Sequence, residues 1–334
     1  MSRDRGPRGL RRLGRTALAA ASVTMLSSTA GGCVVVHGER EILPGATKAE
    51  AARALADFTA AYNEANAAND PSLDTDRVTG ALGDIDGAKL KAGGENQPGG
   101  NPNYVPLELT GTEFTIPEKA GWPRWFVADS RANKGRGEDR WLLVFTRGDA
   151  DELWQVSYLT IASAEEIPEF RKDKDGWAQP VAADATDLAV APGKLPQRYA
   201  AYLKDGGSTF ADGAHTSEWR SDRAKNAARP GLAQQYIDEP LTSGDYAPVG
   251  LRTVDGGALV FFTTRHYQKQ TAAQGAPINV TNAEVKALMT GEPRRSLTLE
   301  SVSNQAVLTP PKSATDQRVS FLSRIQGLTA AKGE

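Results

Sequence analysis

The stretch VGLRTVDGGALVFFTTRHY, residues 249–267, decides the fold class: Val249–Val254, the turn Asp255-Gly256-Gly257, then Leu259–Tyr267. Two runs rich in β-branched and aromatic residues flank an Asp-Gly turn, which is a strong short-range hairpin signal. Strands joined by so short a turn pair antiparallel. Downstream, Ser296–Val302 and Ala306–Leu308 read as a further pair, and Val319–Ile325 as a closing strand. The first half carries the same pattern. Tyr104–Leu109 and Glu113–Ile116 flank a Thr-Gly turn. Trp125–Asp129 and Arg140–Arg147 flank a charged, glycine-rich loop. Leu153–Ile161 follows the tight connection Gly148-Asp149-Ala150-Asp151.

Helical spacing precedes each run of strands. Thr47-Lys48-Ala49-Glu50 is a capping box, and Ala51, Leu55, Phe58 and Tyr62 follow as one apolar stripe. A poorer helical segment spans 73–90, broken by Gly80, Gly83 and Gly87, and Gly93–Pro102 reads as a loop. In the second half Pro196 opens a helix carrying Tyr199, Tyr202 and Leu203, with Gly206-Gly207 as its stop. A further helix covers 217–228, and Pro230 closes it. Residues 182–196, dominated by Ala, Asp, Gly and Pro, read as a linker. The expected class is therefore α+β, with one domain over 47–181 and a second over 197–334, each with N-terminal helices packed on an antiparallel sheet. Local echoes point to duplication: Ala60-Ala61-Tyr62 recurs as Ala200-Ala201-Tyr202, Asp76-Arg77 as Asp222-Arg223, and Phe145-Thr146-Arg147 resembles Thr263-Thr264-Arg265.

The N-terminus reads as an address. Six arginines and one aspartate fall in residues 1–15, Ala17–Ala30 is uncharged and made of small and apolar residues, and Ala30-Gly31-Gly32-Cys33 follows. That order is a secretory signal peptide over 1–32. The only cysteine of the chain stands where a bacterial lipobox places the residue that receives a diacylglyceryl group. Cys33 is thus the expected lipidation site, 33–46 a tether, and the outer face of the cell membrane the expected location. Two acyl chains hold a protein stably, at ~0.8 kcal/mol per buried CH₂.

Composition excludes several classes. One cysteine removes any disulfide framework and any cysteine-built zinc site, and three histidines leave little for a histidine metal cluster. Without residues 1–32 the formal net charge moves from −2 to about −7, which repels phosphates, so no nucleic-acid partner is expected. Gly-x-Ser-x-Gly, Ser-x-x-Lys, His-Glu-x-x-His and the P-loop are all missing. Asp173-Lys174-Asp175-Gly176 has the look of a calcium loop, but Arg171 occupies the first ligand position. No catalytic residue, metal or cofactor is expected.

The layout resembles actinobacterial, Streptomyces-like secreted lipoproteins built on a domain of unknown function, over the full chain. A helix laid across a curved antiparallel sheet is similar to the cone of NTF2-like and cystatin-like domains, here in tandem. The aromatic residues read either as a core seam between helix and sheet or as an apolar pocket inside the cone, where folds of this resemblance bind small molecules. Tyr62, Trp125, Trp154, Tyr202 and His266 are the candidate pocket lining. The leading expectation is a non-enzymatic cell-surface lipoprotein that binds or scaffolds an envelope partner. The alternatives are an extracytoplasmic carrier of a small apolar ligand or lipid, and a hydrolase or isomerase with a cone-type site.

Overall fold

The computed structural model describes residues 41–135 and 139–334. Cys33, the signal peptide and most of the tether lie outside the described residues. The described residues form one compact unit. Structure begins earlier than Thr47: β1 (Ile42–Pro44) pairs with β3 (Glu118–Ala120), and Ala46 is buried. The capping box opens α1 (Lys48–Ala68). Glu50 N–H donates to the Thr47 hydroxyl at 3.1 Å, and Thr47 N–H donates back to the Glu50 carboxylate at 2.8 Å.

The helical segment expected over 73–90 is shifted along the chain: residues 74–79 are not helical and the helix begins at Gly80. α2 (Gly80–Asn96) runs unbroken through Gly83, Gly87 and Gly93, replacing the first part of the expected loop. Packing explains the glycines. A Cβ on Gly93 would stand 2.7 Å from the Asn69 side-chain oxygen at the end of α1, so only glycine lets the helices approach there. Facing α2, Gly327 would place a Cβ 2.6 Å from Ile85.

The first sheet has the order β2-β4-β5-β6, all antiparallel, with β2 at Leu109–Thr115, β4 at Arg124–Ala132, β5 at Asp139–Arg147 and β6 at Gln155–Ser163. β2 passes through the expected Thr-Gly turn, which becomes a register shift between Thr110 and Glu113. The second half starts with α3 (Leu195–Asp205) and α4 (Ser217–Asn226), then β7 (Ala228–Arg229), β8 (Leu232–Leu241), β9 (Val249–Arg252) and β10 (Ala258–Ala272). The short α5 (Ala283–Leu288), β11 (Met289–Thr290), β12 (Ser296–Thr309) and β13 (Ser320–Gly333) complete it. The order is β11-β13-β12-β10-β8-β7, with β9 also on β10; β11 lies parallel to β13 and the other pairings are antiparallel. The expected hairpin is present, as Ala258–Phe261 against Val249–Arg252. Ser296–Thr309, expected as two strands, is one continuous strand against β10.

Strand alternation sorts the side chains into layers. Phe126, Leu143 and Phe145 face α1 and pack on Ala51, Leu55 and Phe58. Their neighbours Trp125, Val127, Leu142 and Val144 face the other way, onto Leu259, Phe261 and Ala306 of the second sheet. The far side of that sheet, Val260, Phe262 and Val307, is covered by Tyr199, Tyr202 and Leu203 of α3. Helix, sheet, sheet and helix thus stack in order. The segment expected as a linker contributes buried Leu188 and Leu195 to this outer core. Cross-links stitch the two halves: Asn304 donates to the Leu159 carbonyl at 2.7 Å, Tyr158 to the Ala247 carbonyl at 3.1 Å, and Tyr246 to Asp84 at 2.8 Å.

Candidate functional site

Along the outward face of β10 the side chains change character. Ala258, Val260 and Phe262 are followed at the same parity by Thr264, His266, Gln268 and Gln270. The partner strands change in step. Phe262 lies opposite Gln305, Thr264 opposite Ser303, His266 opposite Asp238, Gln268 opposite Tyr236 and Gln270 opposite Gln234. α3 covers the apolar end of this row, and α4 covers the polar end with two side chains, Trp219 and Arg223.

Beneath α4 the polar groups form a chain. His266 Nδ1 lies 2.6 Å from Asp238, and Nε2 lies 2.6 Å from the Ser303 hydroxyl and 3.1 Å from that of Thr264. Asp238 takes two bonds from Arg223, at 2.7 and 2.9 Å. Turning the Gln305 amide lets its nitrogen donate to the Phe262 carbonyl at 2.8 Å and its oxygen accept from the Ser303 and Thr264 hydroxyls. The Asp238 carboxylate can only accept, so the imidazole proton sits on Nδ1 and points at Asp238, and Nε2 is left as the acceptor facing the two hydroxyls. Burial holds His266 down to about 4. The Asp238 hydrogen bond opposes this, and the Arg324 and Arg223 charges reinforce it, so the ring is neutral above that pH. Burial alone would raise Asp238, but its bonds to His266 and Arg223 outweigh it and keep the carboxylate below its usual range.

Ser303, His266 and Asp238 stand in the relation of a serine nucleophile, its base and the base's orienting acid. Ser303 is 0% exposed, however, and its hydroxyl sits in the middle of the sheet beneath α4. In this state the chain acts as a bolt: it satisfies buried polar groups and, through Arg223, ties α4 to β8. A cation–π stack completes the attachment. The Arg324 and Arg223 guanidinium carbons lie 3.4 and 3.8 Å from the Trp219 ring centre, and Arg223 also lies 4.9 Å from the Tyr236 ring centre. Burial lowers Arg324 to about 10. Beside the stack, a cleft of about 320 Å³ opens between α4, β7 and the ends of β8 and β10.

The model of the family described as Domain of unknown function (DUF8094) matches residues 43–333. The chain belongs to that family. It is 65% identical to an uncharacterized lipoprotein of Streptomyces avermitilis and 61% identical to one of Streptomyces coelicolor, each over the full length of both chains. A second uncharacterized lipoprotein of S. coelicolor is 25% identical over 222 residues, covering 64% of this chain and 62% of its own. No solved structure matches this DUF8094 chain significantly.

The five residues expected to line a pocket are dispersed through the DUF8094 fold. Tyr62 packs beside Phe58 on α1 itself, and Trp154 packs beside Phe126 under α1. Trp125 lies between the sheets, Tyr202 in the core under α3, and His266 in the polar chain. None of them lines the cleft beneath α4. Asp238, Ser303, Arg223 and Arg324, which complete the network, escaped the sequence reading. A signal for them did exist: Thr264, His266, Gln268 and Gln270 put polar residues at the parity that carries Val260 and Phe262 earlier in the same strand.

A second polar cluster lies in the first half. Asp74 and Asp86 are both buried side by side near the α1–α2 crossing, and one oxygen of each has no hydrogen-bond partner among the described residues. Burial and the neighbouring Asp86 charge push Asp74 up to about 8. Burial raises Asp86 as well, against the pull of Lys89, whose ammonium donates to Asn66 at 2.8 Å. Among the described residues no group of three or more His, Cys, Asp or Glu could hold a metal ion, and no helix is long and apolar enough to cross a membrane.

Proposed function

We propose that this protein is a non-enzymatic lipoprotein, tethered through Cys33 to the outer face of the cell membrane, that binds a partner in the cell envelope. Two observations support the tether: full-length similarity to chains named lipoproteins, and a lone cysteine after Ala30-Gly31-Gly32. The observation that carries the binding role is the open polar cleft beside α4, set against a neighbouring Ser303 that no substrate reaches without lifting that helix. The tandem reading of the fold belongs to the same proposal, with each half a helix-on-sheet unit of the cone type and the second specialised for binding. The cleft beside α4 carries polar side chains, which favours a polar partner there over an apolar cargo. Photo-crosslinking from position 226 or 270 in the native host tests the role. One recurrent envelope adduct is expected, and adducts no different from those of a distant surface position would refute it. Cys33→Ser is expected to release the protein from the membrane fraction.

A second reading, a hydrolase gated by α4, is favoured by the 2.6 Å spacings on either side of His266. Its mark would be fluorophosphonate labelling of the intact protein that disappears in Ser303→Ala. The binding proposal expects no labelling.

A further inference from the structure

The side chains around the α4 cleft narrow the chemistry of its ligand. This step rests on the binding role proposed above. The wall presents four amides, Asn226, Gln234, Gln268 and Gln270, with Arg229 and Asp222 at the rim. An amide offers donors and an acceptor together. A phosphate or carboxylate offers acceptors only, and would meet Asp222 and the amide oxygens. A metal or ammonium ion would meet the amide NH₂ groups and the two arginines, Arg223 and Arg229. A hydroxyl both donates and accepts, so a ring bearing several hydroxyls satisfies the mixed lining.

The wall is also held in place. Gln268 donates to the Gln234 side-chain oxygen, and the Tyr236 hydroxyl donates to the same oxygen at 3.1 Å. That leaves the Gln234 amide nitrogen, the Gln268 oxygen and the Gln270 amide unengaged among the described residues. Arg223 adds a buried Nε–H with no partner, on a residue that lines the cleft. Its guanidinium and that of Arg324 already occupy the Trp219 ring, so the cleft offers hydrogen bonds in place of a free aromatic platform. At about 320 Å³ the space lies at the small end of ligand sites, suited to one or two sugar rings and too small for a protein segment.

We infer that the cleft between α4 and the polar ends of β8 and β10 binds a hydroxyl-rich glycan of the cell envelope, with the Gln234, Gln268 and Gln270 amides reading its hydroxyls.

The test is a titration of the full-length protein, purified from membranes in detergent, with oligosaccharides released from the host cell wall by a muramidase. Binding is followed by calorimetry and by Trp219 fluorescence. The expected result is saturable binding, weakened about tenfold or more in Gln270→Ala and in Gln268→Ala and unchanged in the distant Lys194→Ala. Gln270 is partly exposed, so its variant reads the contact without a folding defect. No saturable binding, binding undiminished in both glutamine variants, or displacement of the sugars by millimolar inorganic phosphate would overturn the inference. If crosslinks to an envelope partner persist from position 226 while the sugars fail, only the glycan assignment falls. If neither occurs, the binding role falls with it.

Discussion

Under α1 the first sheet presents Phe126, Phe145 and Trp154, ring against ring. Under α4 the second presents His266, Asp238 and Ser303. In the first case Phe126 and Phe145 stack with centroids 4.7 Å apart, and Trp154 meets Phe126 at 4.9 Å. In the second, three hydrogen-bonded groups and two arginines fill the corresponding layer on the opposite side of the two sheets. An apolar face is non-directional and tolerates small shifts, whereas a polar face is stable only while every member keeps its partner. The first arrangement anchors a long helix permanently. The second holds a ten-residue helix by Trp219 and Arg223 over the polar face and by Arg220 against α3, a small set of contacts of the kind that lets an element open locally.

The largest expected effect breaks the aromatic side. Phe126→Ala leaves a cavity against Phe145 and Trp154 and is expected to cost about 4 kcal/mol in urea unfolding. Next, Asp238→Ala strands a buried Arg223 and an imidazole N–H and is expected to cost about 3 kcal/mol. In hydrogen exchange the loss should fall first on 217–226. If Asp238→Ala is silent, the polar face contributes nothing and the contrast fails.

The halves also differ in their response to pH. Asp74 binds its proton more tightly in the fold, at about 8, than in the unfolded chain, near 3.8, so stability is lost as pH rises between those values. His266 refuses its proton in the fold until about 4, against 6.5 unfolded, so its contribution is lost as pH falls from 6.5 to 4. Asp74→Asn is therefore expected to raise Tm by about 2–4 °C at pH 8.5 and by little at pH 4. An equal change at both pH values would remove Asp74 as the source of the alkaline limb. The smallest effect sharpens the view of α1 as a permanent anchor: Thr47→Ala removes one half of the capping box and should cost about 0.5–1 kcal/mol without altering the α4 cleft.

The capping box at Thr47, the hairpin at 249–261 and the helix opened by Pro196 were legible because each depends on neighbours a few residues apart. The continuity of α2 was hidden, because its glycines disfavour a helix locally and are tolerated for the close approaches they allow at Asn69 and β13. β8 carried little hydrophobic alternation to announce it: LAQQYIDEPL pairs with β10 on one side and with only the two residues of β7 on the other, and its Asp238 and Gln234 share the face of His266 and Gln270. Of the candidate site only His266 was marked. Asp238, Ser303 and Arg223 lie 28, 37 and 43 residues from it along the chain, and only the sheet register and the fold of α4 bring them to its ring.

By itself the sequence determined the alternation of helices with antiparallel strands, the net negative charge, and the lone cysteine behind a signal-like leader. These follow from local periodicity and from composition, which need no partner in space. Tertiary structure alone decided that the two sheets bury their inner faces against each other, and that polar residues scattered over a hundred positions meet beneath one short helix. Both depend on which strands become neighbours, and that choice is made by long-range burial, which no short window of residues contains.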